Sequence, residues 1–503
     1  MAESTRKSKL RSPFASKLKA VTIKLRAELT PIQSEEDLSA EERTELVELY
    51  HNLKNILSRY SRIGDWTAKE TTWKPGIVDD FSVRFQSLMQ EFSDVEESVQ
   101  STLKHPAAVQ PLSLEAVQQR VPELFILDNS LRETTVGQAR GHTLEEKHKI
   151  VEAMAETGLE EVILGAFGSK INVDSQISEQ WKSLGKSFDK TWGFSDAYDW
   201  EPIDEGPLWE IHDTPKTADD YYTPPMIPKT SYDASDLKLF KRASKGFRTN
   251  AFERFSTLTR TLKKNEAKVG RVPMGLLMMA GYGISNAIIE LDTSVETFDY
   301  ITYDILERSK SLIKWCKKHL AKREDGGENR VLINLRDFAN YYRSAGGLEM
   351  ALRLVDALCR LPPRERPFGF IMEEPIGWLF PNEVGRIVRM VRLTMDRAGF
   401  PEGQFLVHIH WNFGLAEASV LSSLVNGATG VWAAVCRAGA QTGHACSTMT
   451  AVNLFRAGHK TIAEKYDLAK MCEAARKVTA LSTRQPCPPH EEIYGVYTFN
   501  AKK

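Results

Sequence analysis

The stretch LFILDNS at residues 124–130 opens the part of the chain that decides the fold. Its four apolar residues predict a short buried strand, which the polar DNS ends. A helical pattern follows at residues 144–157, and a second apolar run lies at residues 162–164. A strand, a helix and a second strand in this order predict a βαβ unit within a parallel sheet.

The same alternation returns in the C-terminal half of the chain. Apolar runs predict strands at residues 331–335, 368–372, 405–410 and 430–436, with helices between them at residues 347–361, 381–398 and 414–425. Repeated units over this length fit a (β/α)8 TIM barrel or a doubly wound sheet. No Gly-rich phosphate-binding motif follows the first strand, which favours the barrel. The predicted fold class is therefore α/β, a TIM barrel with an N-terminal helical extension and an insertion.

Composition excludes several classes of protein. The 503 residues include 66 Lys and Arg and 67 Asp and Glu, so the formal net charge is −1. A dedicated nucleic-acid binder usually carries a basic excess, so no nucleic-acid partner is expected. No stretch reaches the ~20 consecutive apolar residues of a membrane span, so no membrane partner is expected either. The six cysteines form no CxxC pair, which is typical of a protein from a reducing compartment.

The chain divides into four predicted regions, which are residues 1–38, 39–120, 121–480 and 481–503. The first is basic and is either a disordered tail or a transit segment. A cytoplasmic location is therefore expected, with the mitochondrion as the alternative. The second region is a helical extension, and the third is the barrel, with an insertion at about residues 186–245. The last is a tail.

The strongest chemical signal is VHIHWN at residues 407–412. Alternate side chains of a strand share a face, so His408, His410 and Asn412 are expected to point the same way. In a parallel barrel the C-terminal strand ends carry the active site, where two such imidazoles can bind one divalent metal ion. The alternative is a pair of polar core residues that neighbouring groups satisfy.

A second signal is the pair Arg132 and Glu133 at the end of the first strand. A guanidinium can bind a carboxylate through two parallel hydrogen bonds. The neighbouring carboxylate can offer an oxygen ligand to the same metal ion. Taken alone the pair is weak evidence, because Arg and Glu often form surface pairs.

Together these motifs resemble the pyruvate-carboxyltransferase-type (DRE-TIM) metallolyase superfamily, which includes isopropylmalate and homocitrate synthases, HMG-CoA lyase and related aldolases. DNSLRE at residues 128–133 resembles the first-strand motif, and EEK follows it at residues 145–147 at the family's spacing. HIHWNFGLA at residues 408–416 resembles the seventh-strand motif H-x-H-N-D-x-G-L-A. Looser matches are EPIG at residues 374–377 and RAGAQTGHA at residues 437–445. The resemblance covers about residues 122–500 and is strongest to the synthase branch.

The resemblance implies one divalent metal ion at the barrel mouth, without distinguishing Mg, Mn, Zn and Co. Glu133, His408 and His410 occupy the family's metal-ligand positions. His444 takes the position of a metal-binding Asn of HMG-CoA lyase, so it is either a fourth ligand or a loop histidine. Each of these roles is an expectation from the resemblance.

The resemblance also assigns substrate contacts. Arg132 falls on the catalytic arginine that holds the carboxylate of a 2-oxo acid and the developing enolate. Asn412 and Glu374, in the seventh-strand and sixth-strand motifs, are expected to bind the substrate.

The sequence departs from the family at several of its substrate-binding positions. Val136 replaces a Gln, Ile163 replaces the second-strand Glu that pairs with the arginine, and residues 440–441 replace a Glu-Arg pair. The expected metal ligands are thus retained, while several of the family's substrate-binding residues are replaced.

The implied function is a metal-dependent acyltransferase that condenses an acyl-CoA with a 2-oxo acid, as 2-isopropylmalate and homocitrate synthases do. One alternative is a lyase similar to HMG-CoA lyase or to 4-hydroxy-2-oxoacid aldolases. Another is a non-catalytic barrel that binds metal. PPHEEIYG at residues 488–495 resembles the segment by which the synthase chain leaves the barrel. The synthases continue beyond it, so a catalytic group supplied from there is expected to be missing.

A homodimer is expected from the helical extension. Leu46, Leu49, Leu53 and Leu57 form an apolar stripe at helical spacing that some surface must cover. The stripe and the 186–245 insertion are expected to contribute to the dimer contact, and packing of the stripe on its own barrel is the alternative.

Overall fold

The structure of the chain is a computed structural model. It describes residues 94, 97–99, 101–103, 108–121, 123–132, 141–168, 173–198, 200–202, 226–228, 272–292, 305–336, 347–377, 379–439 and 443–496. The stripe of Leu46 to Leu57 and position 136 lie outside these residues, as does most of the predicted insertion. No helix within the described ranges is long and apolar enough to cross a membrane.

Eight parallel strands of the described chain close into a barrel in sequence order, and the last pairs with the first. They are β1 (Phe125–Asp128), β2 (Val162–Ala166), β3 (Thr191–Asp196), β4 (Asn286–Asp292), β5 (Val331–Arg336), β6 (Gly369–Glu374), β7 (Gln404–Ile409) and β8 (Gly430–Ala433). The predicted (β/α)8 barrel is confirmed, and the doubly wound alternative is wrong because the sheet has no open edge.

Helices lie between the strands and on the outside of the barrel. Those described are α1 (Leu114–Arg120), α2 (Leu144–Met154), α3 (Val173–Gln180), α4 (Met274–Tyr282), α5 (Ile305–His319), α6 (Gly347–Cys359), α7 (Pro381–Arg397), α8 (Ala416–Val425), α9 (Ser447–Arg456), α10 (Ile462–Lys465) and α11 (Leu468–Thr483). A short antiparallel ribbon pairs Trp200–Pro202 with Met226–Pro228 after β3.

Two apolar cores hold the barrel together. The larger lies between the strands and the helices. The smaller fills the barrel interior, as in other barrels of this type. Its members are Leu127, Ile163, Trp192, Phe194, Ile288, Leu332, Ile371, Leu406 and Trp432. Successive residues of a strand alternate between the two cores. The positions of the interior residues therefore determine which residues nearer the C-terminal strand ends face the barrel mouth.

The helix that follows β1 is fixed at its start and along its buried face. The hydroxyl of Thr143 accepts a hydrogen bond from the Glu146 amide, and the Glu146 carboxylate accepts one from the Thr143 amide. This reciprocal cap ties down two amides that the helix leaves unpaired. Lys147, fully buried, pairs with Asp174 of α3 at 2.6 Å and donates to the carbonyl of Leu131. The turn that carries Arg132 is therefore tied to α2 through the hydrogen bond from Lys147 to Leu131.

The predicted insertion at about residues 186–245 is wrong at its start. Strand β3 lies at Thr191–Asp196, inside that range. Trp192 and Phe194 face the barrel interior, and Gly193 lies so close to Met279 of α4 that a β-carbon there would be 2.7 Å from its side chain. The sequence of β3 is difficult to identify as a strand because its apolar residues Trp192 and Phe194 alternate with Gly and Ser.

Candidate metal centre

Three histidines meet at the C-terminal end of β7. His408 is in the strand, His410 directly follows it, and His444 comes from the loop after β8. That loop folds back along the strand end: the Trp411 amide donates to the Gly443 carbonyl at 2.8 Å, and the Ala445 amide donates to the Ile409 carbonyl at 2.9 Å. The antiparallel bridge between positions 410 and 444 places the third imidazole beside the first two.

The three imidazoles form a compact buried cluster. The ring centroid of His408 lies 5.3 Å from that of His410 and 4.2 Å from that of His444. The ring centroids of His410 and His444 are 4.3 Å apart. One nitrogen from each ring lies within 4.8 Å of the others. All three side chains are buried. This spacing allows three nitrogen ligands to converge on one ion.

Glycine at two positions lets the β8 loop reach this conformation. A β-carbon at Gly439 would lie 2.5 Å from Nδ1 of His444. Gly443 has φ of +101°, and a β-carbon there would lie 1.9 Å from the carbonyl oxygen of Arg437. A side chain at either position would therefore displace the loop that carries His444.

The orientation of His408 is set by the neighbouring strand. Its Nδ1 lies 3.0 Å from the carbonyl oxygen of Trp432, and its ring stacks on the Trp432 ring at 4.3 Å and 22°. A carbonyl oxygen only accepts, so Nδ1 carries the proton and donates. The lone pair of His408 is then on Nε2, which is the atom available to a metal ion.

Burial favours the neutral form of His408 and of His444. It lowers the pKa of His408 to about 3, although the negative charge of Glu373 opposes the effect. Burial also lowers the pKa of His444 far below its ordinary range, and the neighbouring His408 and His410 add to this effect. Neutral imidazole is the form that binds metal.

The donor set fits a divalent metal ion. Nδ1 of His410 is buried and has no hydrogen-bond partner among the described residues. Leaving such an atom unpaired is costly unless a ligand satisfies it. Three imidazole nitrogens are ligands that Zn²⁺ and Co²⁺ accept readily.

A polar layer lies directly above the apolar barrel interior. On four consecutive strands the residue two positions after the interior apolar residue is polar, namely Glu290, Asn334, Glu373 and His408. The Asn334 amide nitrogen donates to Glu290 at 3.0 Å and to Glu373 at 2.7 Å. Arg336 donates to Glu290 at 3.1 Å from the barrel rim. Glu373 lies 3.8 Å from Nε2 of His410.

The two carboxyl groups of this layer differ in charge. Burial raises the pKa of Glu290 well above its usual range, and the adjacent Glu373 charge adds to it against the opposing charge of Arg336. Burial also acts to raise the pKa of Glu373, but the interactions with His410, His408 and Arg336 outweigh it and hold that pKa low. Glu373 is therefore the ionised member of the pair, beside the imidazoles.

Arg132 lies beside this layer, against two aromatic rings. Its guanidinium carbon is 4.4 Å from the centroid of Phe194 and 5.1 Å from that of Trp432. The charge of Arg132 acts on both His408 and Glu290. Such stacking holds the planar guanidinium in place.

The second strand offers no carboxylate to this arginine. Ile163 faces the apolar interior. Glu161 binds Arg330 in a two-point contact at 2.8 and 2.9 Å instead. The charge of Arg132 acts instead on the carboxyl group of Glu290, which comes from β4.

The other predicted site residues have different placements. The Asn412 amide donates to the carbonyls of Pro375 and Ile376 at 3.4 and 3.1 Å, so it links the loops after β7 and β6. Glu374 pairs in register with Ile409, and strand alternation turns it away from the interior that Glu373 faces. Glu133 lies outside the described residues.

Sequence reasoning missed Glu290, Asn334, Arg336 and Glu373. A signal was present for Glu290, Asn334 and Glu373, because each of them follows an interior apolar residue by two positions. Strand β4 is not among the predicted strands, and Glu373 lies just beyond the apolar run predicted at residues 368–372. Of the two glutamates that end β6, only the register with β7 shows which one faces inward.

The comparisons with known proteins agree with a barrel of this kind. The family model described as HMGL-like matches residues 342–478. The curated 2-isopropylmalate synthases of Dictyoglomus turgidum and Ruminiclostridium cellulolyticum are 22% and 25% identical over 198 residues. Each match covers 39% of this chain and 35% of the relative, so the chain spans about a third of the length of these relatives.

Solved structures show a weaker similarity. A hydroxymethylglutaryl-CoA lyase from Pseudomonas aeruginosa has 14% sequence identity and a TM-score of 0.44. The similarity covers 73% of this chain and 95% of that one. The fold assignment therefore rests on the closed eight-stranded barrel itself.

Proposed function

We propose, from the premise that the chain carries an HMGL-like (DRE-TIM) domain, that it is a metal-dependent enzyme that condenses an acyl-CoA with a 2-oxo acid. The observation that carries this proposal is the cluster of three buried imidazoles beside the Arg132 guanidinium. A divalent cation and a fixed guanidinium in one buried site suit an anionic oxo-acid substrate.

The proposed metal ligands are His408, His410 and His444, with Glu133 as a further ligand. When bound, the metal ion supplies Lewis-acid polarisation of a substrate carbonyl. The nitrogen-rich donor set favours Zn²⁺ or Co²⁺ over Mg²⁺ or Mn²⁺. In this assignment His444 is a ligand and not merely a loop histidine.

Arg132 is proposed to bind the carboxylate of the 2-oxo acid. Its fork can make two parallel charge-assisted hydrogen bonds to a carboxylate. Contact with the rings of Phe194 and Trp432 restricts the movement of the guanidinium, so little freedom is lost when the substrate binds. Asn412 and Glu374 remain proposed substrate contacts, whereas Glu373 is the carboxylate of β6 that faces the His410 imidazole.

The synthase direction is favoured by the two curated relatives, which are both 2-isopropylmalate synthases. Cleavage, as in a lyase or an aldolase, uses the same groups in reverse and is the second candidate. A barrel that binds metal without turnover is the third.

The experiment is a two-direction assay on full-length protein loaded with Zn²⁺ or Co²⁺. For synthesis, a panel of 2-oxo acids is incubated with acetyl-CoA, and released free thiol is measured. For cleavage, 3-hydroxyacyl-CoA esters and 4-hydroxy-2-oxo acids are supplied and the carbonyl products are measured. Thiol release that depends on both metal and oxo acid supports the proposal. Cleavage alone supports the second candidate, and metal binding without turnover in either direction rejects an enzymatic role.

A further inference from the structure

We propose that Glu373 holds His410 so that His410 binds the metal ion through Nδ1, whereas His408 binds through Nε2. The inference rests on the proposed metal site and extends it to Glu373 of β6, which acts on the metal through a histidine. It assigns Glu373 as a positioning residue, since its contact is with the imidazole.

The first step is the difference between the two imidazoles of the β7 end. The Nδ1 atom of His408 is occupied by the Trp432 carbonyl at 3.0 Å, which leaves its Nε2 for the metal. In His410 the arrangement is reversed. Its Nε2 faces the Glu373 carboxylate at 3.8 Å, and its Nδ1 is the buried atom with no hydrogen-bond partner in the described part of the chain.

The second step is the fixed position of the Glu373 carboxylate. One of its oxygens, Oε2, accepts from the Asn334 amide at 2.7 Å, and the other, Oε1, is the one that faces His410. The Asn334 amide also donates to Glu290 at 3.0 Å, and Arg336 donates to Glu290 from the barrel rim. Glu373 is thus anchored through Oε2 and has Oε1 left for an imidazole N–H.

The third step is the chemistry of the pairing. A histidine that binds metal through one nitrogen donates the N–H of the other to a carboxylate or carbonyl, which fixes its tautomer and raises its basicity. At 3.8 Å the Glu373–His410 contact is longer than a hydrogen bond. A shift of less than about 1 Å on metal binding closes it. The Trp432 carbonyl and the Glu373 carboxylate then do the same work for the two histidines, from opposite neighbours of β7.

The test uses full-length protein reconstituted with Zn²⁺ or Co²⁺. Substitution Glu373→Gln leaves one acceptor oxygen for two donors, Asn334 and His410. We expect it to weaken Co²⁺ binding by about 10- to 100-fold in competition with a chromophoric chelator. The matched control is Glu290→Gln in the same layer, because Glu290 binds Asn334 and Arg336 and no histidine among the described residues. The Co²⁺ affinity of this variant should stay within about threefold of the unmodified protein.

Two spectroscopic readouts separate positioning from ligation. X-ray absorption should show the same number of ligands in the Glu373→Gln variant as in the unmodified protein. Loss of an oxygen ligand would make Glu373 a direct ligand and overturn the proposal, as would unchanged Co²⁺ affinity.

The second readout needs no substitution, so it decides the matter even if the variant fails to fold. In the Zn²⁺ form, nitrogen NMR of labelled histidine should show His408 with its proton on Nδ1 and His410 with its proton on Nε2. Protons on the same nitrogen of both rings would contradict the proposal. Absence of metal binding in the unmodified protein would overturn this inference together with the proposed function, whereas binding with matching tautomers would overturn the inference alone.

Discussion

His408 and Trp432 are joined twice across neighbouring strands. The imidazole Nδ1 donates to the Trp432 carbonyl at 3.0 Å, and the two rings stack at 4.3 Å. The tryptophan also lies 5.1 Å from the Arg132 guanidinium on its other neighbour. One residue of β8 therefore orients both a proposed metal ligand and the proposed substrate-binding arginine.

Replacing Arg132 with lysine should impair turnover more than folding. Lysine keeps the charge but loses the planar fork and the stacking on Phe194 and Trp432. We expect kcat/KM to fall by about 10- to 100-fold, which corresponds to roughly 1.5 to 3 kcal/mol for charged hydrogen bonds. The free energy of unfolding should change by about 1 kcal/mol. Normal turnover in Arg132→Lys would make this residue a structural one.

Lys147→Met should destabilise the chain strongly. The substitution leaves Asp174 charged and buried without its 2.6 Å partner. Breaking such a pair costs about 3 to 5 kcal/mol of unfolding free energy, measured by urea titration. The control Lys149→Ala removes an exposed pair with Glu145 and should leave the urea midpoint almost unchanged. The double variant Lys147→Met/Asp174→Leu should regain much of the loss, and no recovery would contradict this account.

Glu417 predicts a stability that falls as pH rises. Burial raises the pKa of this carboxyl from 4.5 to about 7, although a hydrogen bond from the Cys446 amide opposes it. Because the folded state then holds a proton that the unfolded state releases, the stabilising effect is complete below pH 4.5 and is lost as pH rises to about 7. The loss is at most about 3 kcal/mol.

Glu417→Gln should remove this dependence. The variant should match the unmodified protein in unfolding free energy near pH 4 and exceed it near pH 8. Oε2 of Glu417 has no hydrogen-bond partner within the described ranges, which is where the proton is expected. Parallel pH profiles for the two proteins would show that Glu417 titrates normally.

A homodimer remains a prediction from the N-terminal stripe of Leu46, Leu49, Leu53 and Leu57. Light scattering on the full chain should give twice the mass of 56.8 kDa. A chain that starts near residue 115 should be monomeric if the stripe makes the contact. A full-length monomer rejects the dimer, and a truncated chain that stays dimeric moves the contact to the barrel or the tail.

The barrel and the His408–His410 pair could be predicted because both depend on local alternation. Period-two spacing places these two side chains on one face whatever surrounds them. The position of His444 could not be derived in this way, because it depends on a loop that folds back across β7. The contacts within the polar layer depend on the strand register from β4 to β7, which the spacing within any one strand does not contain. Strand β3 was missed because its apolar residues alternate with Gly, Ser and Asp.

The metal content of the purified chain tests the central claim most directly. We predict about one Zn²⁺ or Co²⁺ per chain after reconstitution and dialysis. His408→Ala should lose most of this metal while the chain stays folded by circular dichroism, because it deletes a ligand and an imidazole stacked on Trp432 but no residue of the apolar core. The matched control is His148→Ala, which removes a histidine that pairs with Gln180 away from the site; its metal content should be unchanged. Equal metal content in the unmodified protein and in His408→Ala would contradict the assignment of this site.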